Sequence, residues 1–246
     1  MKTALITQSN YIPWKGYFDR IQAADEFVLY DDMQFTKRDW RNRNKIKTPS
    51  GLQWLTIPVD VKGKFHQKIK ETKVSDSGWA ANHWATISHC YAKAPYFGEY
   101  RTFFEDLYNR ASTLEYLSEV NFLFLSEICG LLGINTRMSF SSEYELAEGK
   151  TEKLLGICKQ LGANRYITGP SAANYMEMDL FSNSGVEVVF FDFSQYRDYQ
   201  QIHPPFEHGV SIIDLIFCEG TRAQSHFTSS DFNFEVSDGL AVANSQ

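Results

Sequence analysis

Two short apolar runs, Leu5-Ile6 and Glu26-Phe27-Val28-Leu29-Tyr30, bracket an aromatic segment of helical character from Trp14 to Ala24. Strand, helix and strand in that order make a β-α-β unit. Such units are right-handed with parallel strands, and their ligands gather in the crevice beyond the strands' carboxyl ends. Here those ends carry Gln8 to Pro13 and Asp31-Asp32.

The rest of the chain extends this pattern. After a basic loop, Gln53 to Val59 alternates like a strand, and Pro58 places it at an edge or marks its end. Trp79, His83, Ile87 and Tyr91 recur every four residues on a helix that stops before Pro95. Leu114, Leu117, Asn121, Leu125, Ile128 and Leu132 continue a helical period as far as Gly133. Leu154, Leu155, Cys158 and Leu161 define a helix closed by Gly162, followed by a strand at Arg165-Tyr166-Ile167-Thr168. Gly169-Pro170-Ser171 then turns into a helix near Asn174 to Phe181, and Val186 to Phe191 is a further strand. Helix and strand alternate at both ends, so the expected fold is α/β: a mostly parallel, Rossmann-like sheet with flanking helices and a helical middle. The expected organisation is one domain over 1–220, with a helical insertion near 79–134 and a loosely attached polar tail over 221–246.

With 43% hydrophobic residues among 246, the chain can bury a substantial core, which excludes a wholly disordered protein. A net charge of -6 argues against nucleic acid as a partner, yet leaves room for a local basic patch holding one anionic ligand. The cysteines, Cys90, Cys129, Cys158 and Cys218, lie far apart without metal or redox spacing and read as free thiols of a reducing compartment. No signal-peptide core opens the chain, and the longest apolar stretch, Phe122 to Ile134, falls short of the ~20 residues of a membrane span. The expectation is a cytoplasmic protein with no membrane span.

The densest functional candidate is the run from Asp31 to Lys45, where two carboxylates sit beside Lys37, Arg38, Arg41, Arg43 and Lys45. Guanidinium forks suit phosphate or carboxylate, and Trp40 offers a flat face for a ring. A charge run is equally well a solvated surface, but Asn42 and Asn44 tilt the reading toward recognition. Asp31 and Asp32 suit acid/base work, although neighbours on a strand point to opposite faces, so that one of them enters a site and the other pairs with an arginine. No histidine joins them at ligand spacing, which disfavours a metal. Gln8, at the end of the first strand, is placed to read a ligand, with Tyr11 beside it; Trp14, Tyr17 and Phe18 also suffice for plain aromatic packing. Backbone N–H groups at Gly169 and Ser171 suit an anion, although Pro170 removes one donor and no Gly-rich phosphate loop is present. His83 is either a hydrogen-bonded helix residue or a cleft residue, and His203 is a loop candidate.

Three stretches carry a resemblance. Gln8-x-x-Tyr11-x-Pro13-Trp14-x-Gly16-Tyr17-Phe18 and Tyr30-Asp31-Asp32-x-Gln34-Phe35-x-Lys37-Arg38-x-Trp40-x-Asn42-Arg43-Asn44 open it, and Ser211-Ile212-Ile213-Asp214-Leu215-Ile216-Phe217 closes it. Over about residues 1 to 220 the chain resembles the WbqC-like family, departing from it at Ser9, where proline is common, and at Cys218, where asparagine is. The resemblance implies a role in bacterial surface-polysaccharide biosynthesis as an acyl or aminoacyl transferase, glycyl being one candidate group. The acceptor would be a nucleotide-linked amino sugar.

On that reading Arg38 and Arg43, helped by Gln34, Lys37 and Asn44, hold phosphate or carboxylate, and Trp40 or Tyr11 stacks on a ring. Gln8, Asp31, Gly169, Ser171 and His203 complete the binding set, and Asp32 or His83 takes the proton from the amine. A more distant likeness, to nucleotidylyltransferase and pantothenate synthetase-like enzymes, rests on the place of Trp14-Lys15-Gly16-Tyr17, where those enzymes carry H-x-G-H. Alternatives are an ATP-dependent carboxylate-activating ligase or nucleotidylyltransferase-like enzyme, and a non-catalytic sugar-binding scaffold; the cofactor candidate is a nucleotide, with Mg²⁺ required only by the ligase.

Overall fold

The computed structural model describes residues 1–174 and 176–229, and the backbone of 232–233, 241–242 and 244–245. Strand β1 (Thr3–Thr7) leads through helix α1 (Lys15–Gln22) to β2 (Glu26–Leu29). A hairpin of β3 (Arg43–Thr48) and β4 (Gly51–Thr56) follows, then α2 (Trp79–Tyr91), α3 (Phe97–Ala111) and α4 (Leu117–Leu131). The chain continues through β5 (Arg137–Phe140), α5 (Lys150–Leu161), β6 (Arg165–Thr168), α6 (Met178–Ser182), β7 (Glu187–Phe190) and α7 (Ile212–Glu219).

The main sheet runs β5-β2-β1-β6-β7, all parallel, and a two-residue strand, Ala241–Val242, lies alongside β7. The α/β expectation is met, with the order of a doubly wound fold. Alternate residues face opposite ways, and both faces are apolar because both are covered. Leu5, Phe27, Leu29, Ile167 and Val189 pack with α1, α7 and the helices α2 to α4. Ala4, Ile6, Val28, Tyr166 and Val188 face the other way, against Leu154, Leu155 and Cys158 of α5 and Phe181 of α6.

Three local differences from the sequence reading have physical causes. The second half of the basic loop is strand β3, which pairs antiparallel with β4 in a separate sheet. Its period of two is hidden because the inward positions include polar Asn44 as well as Ile46. Strand β5 escapes notice because its four residues, Arg137-Met138-Ser139-Phe140, carry almost no apolar run. Of the expected tail, residues 221–229 are tied down: Thr228 N and Oγ1 and Ser229 N donate to the buried Asp19 carboxylate of α1 at 2.8, 2.9 and 2.9 Å. The remainder of that tail lies outside the described residues, apart from the backbone segments named above. Among the described residues no helix is long and apolar enough to cross a membrane.

Candidate functional site

The order in which the parallel strands are added reverses at β1, because β2 and β5 are laid down on one side of it and β6 and β7 on the other. Loops leaving two strands in opposite directions must part there, and the gap they leave is where open α/β sheets bind ligands. A cavity of about 450 Å³ occupies that place. Its floor and walls come from the end of β1 (Ile6, Thr7, Gln8), Asn10, Tyr30 and Met33 beyond β2, and Thr168, Gly169 and Ser171 beyond β6.

Four cations converge on this crevice: Arg20 from α1, Arg41 from the loop before β3, and Lys150 and Lys153 from the first turns of α5. The lining holds no carboxylate among the described residues. Arg20 stacks on the rings of Tyr17 and Phe193, its guanidinium carbon 5.5 Å from each centroid, and its Nε is buried without a hydrogen-bond partner. Burial lowers its affinity for a proton. No carboxylate among the described residues pairs with it, so a half-buried cation is left to be answered from the crevice. Arg41 is largely buried and donates to the carbonyls of Gln8 and Ser9 at 3.2 and 3.3 Å and to Asn10 Oδ1, fixing the loop after β1. Lys150 and Lys153 stand at a helix N-terminus, where the peptide dipoles already present positive charge and basic side chains are disfavoured.

That loop is strained at Ile12, which holds φ at 35° although it is β-branched. The surroundings impose it: Asn44 Nδ2 donates to the carbonyls of Tyr11 and Ile12 at 3.1 and 2.9 Å, and Tyr11 N donates to the Trp40 carbonyl. Asn10, Pro13, Trp14, Trp40, Asn44, His208 and Gly209 line a second hollow of about 310 Å³, and Asn10 is common to both.

Of the residues singled out by sequence, Gln8, Gly169 and Ser171 line the crevice, and Trp40 and Asn44 line the neighbouring hollow. Asp31 is buried and accepts from Ser9 N, Ser9 Oγ and Ser118 Oγ. Burial pushes its carboxyl up against the opposing effect of those hydrogen bonds. Asp32 is ion-paired with Lys70 and Lys68 at 2.6 and 3.2 Å and accepts from Ser141 Oγ. Burial alone would raise its carboxyl, but the lysines and Ser141 outweigh it and hold the group below the usual range. Tyr11 is wholly buried, its hydroxyl bonded to His83 Nδ1 and to the Tyr108 hydroxyl at 2.9 and 2.8 Å. His203 Nε2 donates to the Cys90 carbonyl. Gln34 donates to the Phe65 carbonyl, Lys37 and Arg38 are exposed, and Arg43 lies 4.1 Å over the Trp54 ring.

Asp31, Asp32, Tyr11, His83 and His203 therefore have their polar groups engaged within the protein, away from the crevice lining. Arg20, Asn10, Lys150 and Lys153 are the residues that sequence reasoning passed over. Lys150 and Lys153 left a readable signal, two lysines where a helix start favours acids.

His83 gives a pH signature. Enclosed by Tyr11 and Trp79, its imidazole is pushed down to about 4 by burial. The unfolded chain takes this proton near pH 6.5 and the folded chain does not. The associated stability is therefore complete above that pH and is lost as pH falls toward 4, by about 3 kcal/mol. In urea melts between pH 7 and 4.5, His83→Gln is expected to lose stability less steeply than the parent chain. Parallel slopes would contradict this assignment.

Fold and crevice together define a doubly wound α/β protein with a cation-lined crevice at its topological switch point. The chain belongs to the WbqC-like protein family, whose family model matches residues 8–226. It is 49% identical over 226 residues to the uncharacterized protein Rv1507c of Mycobacterium tuberculosis, an alignment spanning 92% of this chain and 97% of that one. No solved structure matches it.

Proposed function

We propose that the switch-point crevice holds the phosphates of a nucleotide-linked amino sugar, on whose amine the protein places an acyl or aminoacyl group. The observation that carries the phosphate part is the convergence of Arg20, Arg41, Lys150 and Lys153 on a cavity with no acidic lining among the described residues. An anion there would meet charge-assisted hydrogen bonds from two guanidinium groups and two ammonium groups, together with the N-terminal dipole of α5. Gln8, Thr168 and Ser171 add neutral donors on the same walls. The acyl-transfer part rests on the WbqC-like resemblance. In that step the amine nitrogen attacks the acyl carbonyl, the C–N bond forms as the bond from carbonyl carbon to donor breaks, and the donor departs with that electron pair and takes up the proton that the amine gives up. Holding the amine beside the carbonyl is then the protein's chief contribution.

Calorimetric titration with nucleotide sugars, nucleoside diphosphates, ATP and unphosphorylated amino sugars tests the reading. The expected result is binding of the phosphorylated ligands, tightest for a nucleotide amino sugar and weakening with salt, and no binding of the unphosphorylated sugars. Indifference to every phosphate ester would overturn it, and ATP bound well above all nucleotide sugars would favour the ligase.

A further inference from the structure

The second hollow is unlike the crevice. It is lined by the rings of Trp14, Trp40 and Pro13 together with Asn10, His208, whose Nδ1 has no hydrogen-bond partner, and Asn44, whose amide is engaged with the backbone of Tyr11, Ile12 and Lys45. Trp40 is 39% exposed and Trp14 partly exposed, so two large indole surfaces are left facing a cavity at some cost in apolar burial. Their placement is firmly built. Trp14 packs on Phe193 and Tyr196 at 5.3 and 5.4 Å between centroids, and its ring folds back over Gly16, where a Cβ would stand 2.5 Å from it. Trp40 leans on Trp54 at 5.3 Å.

We infer that this hollow is a second subsite for the same ligand, taking the sugar ring of a nucleotide-linked sugar against Trp40 and Trp14. The inference rests on the phosphate reading of the crevice. The C–H face of a pyranose ring is weakly positive and apolar, and the electron-rich face of an indole attracts it; hydroxyls at the ring edge need a few amide or imidazole partners. Asn10 joins the two hollows, since it lines both and its Oδ1 accepts from the Arg41 guanidinium of the phosphate side. In a doubly wound fold the nucleoside takes the side of the crevice beyond the second strand, here the side of Tyr30 and Met33. Asn10, common to both linings, is where a group attached to the phosphates would pass from the crevice into the aromatic hollow. A cationic middle between two apolar ends matches a nucleoside, its diphosphate and a sugar.

The test compares UDP, dTDP and GDP with their hexosamine conjugates on wild-type protein, Trp40→Ala and Trp40→Phe, by calorimetry and by saturation-transfer NMR. For the nucleotide that binds, wild type is expected to hold the conjugate about tenfold tighter than the free diphosphate, with strong transfer to the sugar-ring protons. Trp40→Ala should equalise the two ligands while leaving the diphosphate within about twofold of wild type, and Trp40→Phe, which keeps a ring, should restore most of the difference. If the diphosphate binds but the sugar adds nothing, or if Trp40→Ala leaves the increment intact, this inference fails and the phosphate site stands. If wild type binds neither ligand, the phosphate site fails and the subsite goes with it.

Discussion

Replacing Lys150 and Lys153 together by alanine is expected to lower the affinity for a nucleotide ligand a hundredfold or more while leaving the protein as stable as before, or more so. Each ammonium would contribute a charge-assisted contact worth roughly 1.5–3 kcal/mol to a bound phosphate, so losing both removes about 3–6 kcal/mol. The folded chain loses little. Lys150 is exposed and Lys153 half-buried, neither carries a carboxylate partner among the described residues, and both oppose the dipole of α5. Removing them relieves that opposition by a few tenths to about 1 kcal/mol. A gain in melting temperature beside a collapse in binding is the mark of residues kept for a ligand. Affinity within threefold of wild type, or a clear loss of stability, would contradict it. Lys37→Ala with Arg38→Ala serves as the control: those exposed side chains lie off the crevice, and the affinity should stay near that of wild type.

Asp31→Ala should have the opposite character, costing roughly 3–5 kcal/mol of stability in a urea or thermal melt. The carboxylate ties three elements at one buried point: its own position after β2, Ser9 after β1, and Ser118 of α4. Ser9 Oγ in turn accepts from Asn121 Nδ2, which also donates to the Arg41 carbonyl. Truncation strands buried donors that water cannot reach, and the penalty for such groups is paid in full. Because Arg41 and the Gln8–Asn10 loop hang on this network, ligand affinity should fall with stability. A variant that melts like the parent but has lost activity would point instead to direct participation of Asp31 in chemistry.

How much of this was legible in the sequence follows from which effects are local. Apolar runs and four-residue spacing disclosed β1, β2, β6, β7 and α2 because strand and helix periods act over a few residues. Gln8, Gly169 and Ser171 were legible as crevice residues since position at a parallel strand's carboxyl end is a property of topology. Arg20 was not, because whether a cation on α1 faces a crevice depends on β6 lying beside β1, a pairing across 160 residues of chain. The Asp31-Asp32 pair sits at a strand end as its position suggests, yet its partners come from Ser118, Lys68, Lys70 and Ser141, none of which is near in sequence. Tyr11 and His83 are matched to each other by burial, which no spacing reveals.

The central claim is that phosphate is held at the switch point, and a crystal structure of the protein with a bound nucleoside diphosphate addresses it most directly. The account predicts phosphate density within hydrogen-bond reach of Arg20, Arg41, Lys150 and Lys153, between the loops after β1 and β6. Phosphates seated instead on the exposed Lys37, Arg38 and Arg43 loop, with the crevice filled by solvent, would contradict it.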